Sequence, residues 1–245
     1  MAHKIRTGHP RPPIDGATQP TQDTVGIQRG RTDIGTGGTD ASKVTLECFN
    51  CKGFKSQSDY ITQRLCNDVD FMCLSETWLH LHETHVIEKV LSESLDLKTS
   101  NFTAFSISSM NEVDADYHGR PFGGVAIICR EKPGMSFRLL DTGCDRVMCV
   151  GVYNEHSECV LFVCAVYFPF FKSHANQHNL YLSTIDALQS LIDAHGMTAP
   201  FIFCGDFNAQ LLVNSVLHRR WYREPGFNVY SKMLYDFLVC NDLAV

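Results

Sequence analysis

Phe201-Ile202-Phe203-Cys204-Gly205-Asp206-Phe207-Asn208-Ala209 decides the fold, because an apolar run introduced by Pro200 stops on a glycine and then presents two polar side chains. Phe201 to Cys204 reads as a short, fully buried strand, and Gly205 serves a turn where backbone passes close to another group. Asp206 and Asn208 lie one residue apart, so in extended chain both point to the same side. A carboxylate and a carboxamide side by side at a strand's C-terminal end suit a hydrated metal ion, or a water poised to attack phosphorus. An Asx-type turn between two core elements uses the same residue types, so this stretch by itself leaves both readings open.

At 245 residues, 44% hydrophobic and 11% aromatic, the chain suffices for one large domain with a proper core. No apolar run approaches the ~20 residues of a membrane span. Met1-Ala2-His3-Lys4-Ile5-Arg6 is not followed by the apolar segment of a signal peptide. The expectation is an intracellular protein, nuclear or cytoplasmic. Of the eleven cysteines, Cys73, Cys129, Cys149, Cys164 and Cys204 sit inside apolar runs, where a free thiol packs as a small hydrophobe. An odd number at irregular spacing argues against a disulfide framework. Cys48-Phe49-Asn50-Cys51 is the only CxxC, and without a second pair it reads as strand packing rather than zinc. His80-Leu81-His82-Glu83-Thr84-His85 lacks the histidine spacing of a helical zinc site and reads as an exposed loop leading into a helix.

The net charge is −6, but it is unevenly spread. Residues 1–43 carry six Lys/Arg against four Asp, net +2, which leaves the remainder at −8. They also hold four of the nine prolines and no Phe, Trp or Tyr. Such a segment cannot bury enough surface to offset its ordering entropy, so a disordered leader is expected over 1–43 and one domain over 44–245. An acidic domain that acts on nucleic acid must meet phosphates through metal ions and local basic spots.

From Val44 the pattern alternates into Phe49-Asn50, and a helix capped by Ser56 or Ser58 follows. Val69 to Ser75 is a strand that delivers Glu76 at its end. A helix over 83–95, a strand over 101–108, a polar loop over 109–122 and a buried strand from Gly123 to Cys129 come next. Three more strands occupy Ser136–Asp141, Arg146–Tyr153 and Cys159–Phe168, the last delivering Tyr167. A helix over 176–195 precedes the opening stretch, and a final helix begins near Ser231. Between them, Arg219, Arg220, Trp221 and Arg223 form the densest basic and aromatic patch, either a solvated loop or a phosphate-tracking one.

Asn50, Glu76, Tyr167, Asp206 and Asn208 thus fall at or just past the C-terminal ends of apolar strands, which is where layered α/β proteins build active sites. Five ordered motifs, FNCKGF (49–54), LSETW (74–78), FGGVAI (122–127), VYFPF (166–170) and CGDFNAQ (204–210), resemble the endonuclease/exonuclease/phosphatase superfamily, and within it LINE-type retrotransposon endonucleases. The resemblance spans roughly 44–245. It implies a DNase I-like α/β sandwich of two mixed β-sheets flanked by helices, acting as a monomer on DNA and originally fused to a reverse transcriptase. It further implies Glu76 as a Mg²⁺ ligand, with Mn²⁺ a possible substitute, and Asn50 as orienting the metal site. Tyr167 would contact the scissile phosphate, Asp206 would orient or deprotonate the attacking water, and Asn208 would hydrogen-bond the phosphate region.

Two departures qualify the resemblance. Lys52 stands where many members have an aspartate, and no terminal aspartate strand or Ser-Asp-His motif follows Asn208, where His218 is the only histidine. The expectation is therefore a C-terminally truncated copy lacking the last strands, a DNA-nicking domain with an incomplete catalytic set. The alternatives are a catalytically inactive remnant or binding module of the same fold, and a phosphatase or phosphodiesterase acting on a non-DNA phosphoester.

Overall fold

The computed structural model of the chain describes residues 44–67, 69–94, 101–110, 122–170, 175–209 and 228–244. The expected leader 1–43 and the patch at Arg219, Arg220, Trp221 and Arg223 lie outside the described residues. The elements, in order, are β1 (Leu46–Asn50), α1 (Phe54–Leu65), β2 (Phe71–Ser75), a 3₁₀ turn (Leu81–Glu83), α2 (Val86–Glu93), β3 (Phe102–Ile107), β4 (Val125–Arg130), β5 (Ser136–Leu140), β6 (Val147–Tyr153), β7 (Cys159–Tyr167), α3 (Ala175–His195), β8 (Phe201–Asp206) and α4 (Val229–Cys240). Among the described residues no helix is long and apolar enough to cross a membrane.

The strands form two mixed four-stranded sheets, ordered β1-β2-β4-β3 and β5-β6-β7-β8. In the first, β1 runs parallel to β2 and the other pairings are antiparallel. In the second, β7 runs parallel to β8 and the rest are antiparallel. The two-residue side-chain period sorts each central strand onto two faces. Phe71 and Cys73 of β2, Ile127 of β4, Val150 of β6 and Val163 of β7 fill the space between the sheets. Met72, Leu74 and Ile128 face outward onto Ile61 and Leu65 of α1 and Ile87 and Leu91 of α2. Cys149, Phe162, Cys164 and Val166 face outward onto Leu188 of α3 and Leu234 and Phe237 of α4. The result is a four-layer α/β/β/α sandwich with three cores, the solution open to two sheets that are apolar on both faces.

Three local expectations change. α1 begins at Phe54 with Gly53 at its N-cap, not at Ser56 or Ser58. The amides of Gly53 and Phe54 are satisfied by the carbonyls of Glu76 (2.8 Å) and Thr77 (2.9 Å), so no serine cap is needed, and Ser56 Oγ turns back onto Gly53 O. The strand at Phe201 does not stop at the glycine but continues through Gly205 and Asp206, paired with Val166 and Tyr167. It is half-buried rather than fully buried, because among the described strands β8 pairs only with β7 and forms the sheet's edge.

Gly205 is obligatory for that continuation. Its φ is +146°, and a Cβ there would lie 1.9 Å from Val166 O. The close approach expected of this glycine is thus made to the neighbouring strand.

Candidate active site

The parallel pairs β1–β2 and β7–β8 carry their C-terminal ends to one mouth, one pair from each sheet. Asn50 ends β1, Glu76 follows β2, Tyr167 ends β7 and Asp206 ends β8. Asn50 Nδ2 donates to Glu76 Oε1 and to Asp206 Oδ2, each at 3.0 Å. Tyr167 joins them at the end of β7, in register with Asp206. Burial first, then the charges of Glu76 and Asp206, push the Tyr167 phenol up to about 12. It is a protonated donor throughout the physiological range.

Backbone pairing holds each of these residues in place. Cys51 N donates to Ser75 O at 3.0 Å, next to the Gly53 and Phe54 bonds to Glu76 and Thr77, so the β1–α1 loop is laced to the end of β2. On the other flank Thr77 N and Trp78 N donate to Gly124 O (3.3 Å) and Gly123 O (3.0 Å) ahead of β4. Gly124, at φ +83°, admits Thr77, whose Oγ1 would lie 2.3 Å from a Cβ. The segment bearing Glu76 is therefore gripped from both neighbouring strands.

Backbone strain gathers here as well. Six described non-glycine residues have positive φ, and four of them, Lys52, Glu76, Trp78 and Asn208, lie in the loops that form the mouth. Each costs of order 1–3 kcal/mol and persists only where the surroundings over-determine it.

Asn208 departs from its expected orientation. At φ +45° it leaves the extended conformation, so it does not continue the alternation that would aim it beside Asp206. Its backbone N–H donates to Asp206 Oδ1 at 3.0 Å, an Asx turn, and its side-chain Nδ2 donates to Phe168 O at 2.7 Å. Phe168 N in turn donates to Asp206 O at 2.8 Å. Asn208 thus clamps the loop after β8 to the exit of β7, as the Asx-turn reading of this stretch expects. Arg146, which the sequence reading did not single out, also belongs to the mouth. Its guanidinium carbon lies 5.6 Å from the centroid of the Tyr167 ring. No spacing rule links a turn residue before β6 to the end of β7, so nothing local marked it.

The residues present fit a divalent cation. Two carboxylates converge on one amide, and the other end of that amide, Asn50 Oδ1, is buried without a hydrogen-bond partner among the described residues. One or two carboxylates and an amide oxygen, completed by water, are the donor set of a hard cation that favours oxygen ligands. Among the described residues no three His, Cys, Asp or Glu side chains cluster as a metal site.

No curated protein sequence matches the chain at a significant level. Solved structures share the fold at low identity. An AP endonuclease from Archaeoglobus fulgidus superposes with TM-score 0.53 at 17% identity, covering 80% of this chain and 70% of that one. The 3′ phosphatase NExo from Neisseria, bound to product DNA hairpin, gives TM-score 0.52 at 14% identity, covering 81% of this chain and 70% of that one. The Endonuclease/Exonuclease/phosphatase family matches residues 48–229, a span that includes Asn50, Glu76, Tyr167, Asp206 and Asn208. With most of its length matched and a two-sheet sandwich whose strand ends bring these side chains together, the chain belongs to the endonuclease/exonuclease/phosphatase family.

Proposed function

We propose that the mouth hydrolyses phosphodiesters with the help of a divalent metal, Mg²⁺ or Mn²⁺, and that its substrate is DNA. The observation that carries this reading is the single Asn50 amide shared by Glu76 and Asp206. Glu76 and Asn50 Oδ1 would hold the ion, which when bound withdraws charge from a phosphoryl oxygen. Asp206 orients the attacking water and accepts its proton. Tyr167, protonated at the end of β7, offers its hydroxyl to the charge that develops on phosphorus. Asn208 keeps the Asp206 loop in register with β7. Nucleic acid is favoured over other phosphoesters because the structural neighbours are named as a DNA-bound 3′ phosphatase and an AP endonuclease.

The finer proposal, carried by LSETW and VYFPF, is a DNA-nicking endonuclease of LINE-type retrotransposon origin, originally fused to a reverse transcriptase and acting as a monomer. Arg219, Arg220, Trp221 and Arg223 would track phosphates, and replacing the three arginines with alanine would flatten the salt dependence of DNA binding. Among the described residues no hydrogen bond of Asn50, Glu76 or Asp206 involves a histidine. We propose that 1–245 nicks poorly by itself.

Metal affinity is therefore the decisive readout. Titration calorimetry with Mn²⁺ should show Glu76→Gln binding at least about tenfold more weakly than the parent, the scale of one lost charged contact. Unchanged affinity would overturn the metal assignment. In any nicking of supercoiled plasmid that is observed, Asp206→Ala should abolish the activity.

A further inference from the structure

Arg146 is a half-buried cation that the functional reading leaves without a role. The described ion pairs do not include it, and its guanidinium donates no hydrogen bond to a described residue. Its Nε is buried and has no hydrogen-bond partner among the described residues. A buried donor left unmade is costly, more so on a charged group, so an arginine kept in this state is held there for a partner. Its surroundings identify that partner. Tyr167 has the guanidinium over its ring and stands in register with Asp206, so Arg146 lies next to the tyrosine of the mouth.

The turn that presents Arg146 is rigid. Tyr167 N donates to Arg146 O at 2.9 Å. Ser109 Oγ donates to Asp145 O at 3.2 Å, while the same oxygen accepts from Gly124 N at 2.9 Å, tying the turn to the β4 flank of Glu76. Thr142 Oγ1 bonds Val147 O at 2.7 Å on the other side. A cation whose backbone is held on three sides, next to the tyrosine of the mouth, is preorganised for an anion that enters there.

Resting on the proposed phosphodiesterase reading, we propose that Arg146 is the phosphate-binding residue of the mouth, gripping a phosphate oxygen of the substrate while Glu76, Asn50 and Asp206 serve metal and water. The planar guanidinium fork matches two oxygens of one phosphate, and the Tyr167 ring beside it helps to hold it in place.

The test measures binding of a short fluorescein-labelled DNA duplex to the 245-residue chain, with Ca²⁺ replacing Mg²⁺ so that turnover is slow. Arg146→Gln should weaken binding on the order of 10- to 100-fold, the range of a lost charged hydrogen bond. The slope of log affinity against log salt should fall by about 0.9, one phosphate contact. Arg146→Lys should restore the slope but only part of the affinity, and Mn²⁺ affinity and the melting temperature of Arg146→Gln should match the parent. Equal DNA affinity and slope in parent and Arg146→Gln would overturn the proposal. A lowered melting temperature with lost Mn²⁺ affinity would also overturn it, by making Arg146 a prop for Tyr167. A parent chain that binds Mn²⁺ but no duplex would instead sink the DNA reading, and the role of Arg146 with it.

Discussion

Glu76 and Asp206, delivered by different sheets, accept hydrogen bonds from the same nitrogen, Asn50 Nδ2, at 3.0 Å each. Their oxygens can be no farther apart than those two bonds laid end to end, so the amide offsets a repulsion that would otherwise push the sheets' ends apart. Asn50→Ala should lower the unfolding free energy by roughly 1–3 kcal/mol, the cost of leaving two partly buried carboxylates without their shared donor. Urea denaturation without divalent cations checks this, and an unchanged midpoint would mean the bridge contributes nothing to the fold.

Gly205 should tolerate no side chain. A Cβ would sit 1.9 Å from Val166 O, and that atom is backbone in a paired strand that cannot yield cheaply. Gly205→Ala should cost about 3 kcal/mol or more. It should also move Asp206 away from Asn50, so the variant that does fold should lose Mn²⁺ affinity in calorimetry. A variant as stable as the parent would show that β7 and β8 can separate.

Lys52 offers the opposite case. It is exposed at φ +46°, and no described hydrogen bond or ion pair ties its side chain down. Lys52→Gly relieves the left-handed strain at a smaller entropic cost, for a net gain of about 1 kcal/mol. A higher thermal midpoint is the expected readout. A lower one would mean that the Lys52 side chain stabilises the loop.

Alkaline pH should unfold the protein early. Burial, reinforced by Cys204 and Asp206, pushes the Cys48 thiol from its ordinary 9.0 up to about 12, and burial does the same to Cys51. Tyr167 rises from 10.0 to about 12. Each group holds its proton more tightly folded than unfolded. The thiols' stabilisation is therefore complete below about pH 9 and the phenol's below about pH 10, and both are lost as the pH climbs toward about 12. The urea midpoint should fall steadily across that window, and less steeply in the Cys48→Ala, Cys51→Ala double variant. A midpoint flat to about pH 11 would contradict the burial of these groups.

Much of the architecture was legible along the chain. Continuous apolar runs such as Val125–Cys129 and Val163–Val166 specify strands buried on both faces, and the spacing of Leu188, Leu191 and Ile192 specifies a helix. The polar residues at strand ends, Asn50, Glu76, Tyr167 and Asp206, stand out because each interrupts an apolar pattern. Helix starts were less legible: α1 draws its cap from the carbonyls of Glu76 and Thr77, a partner that no residue within the helix announces.

The sequence by itself determined the strands, the helices and the polar residues at the strand ends, though not Arg146, because side-chain periodicity and polar interruptions are properties of neighbouring residues. Only the tertiary structure decided that one Asn50 amide serves both carboxylates, and that Asn208 turns away to hold Phe168. It also decided that Arg146 lies on Tyr167. These relationships join residues far apart in the chain, and their geometry follows from sheet register, from the stacking of two sheets and from positive-φ turns. Those are global consequences of packing, which the local pattern around any one of the residues does not encode.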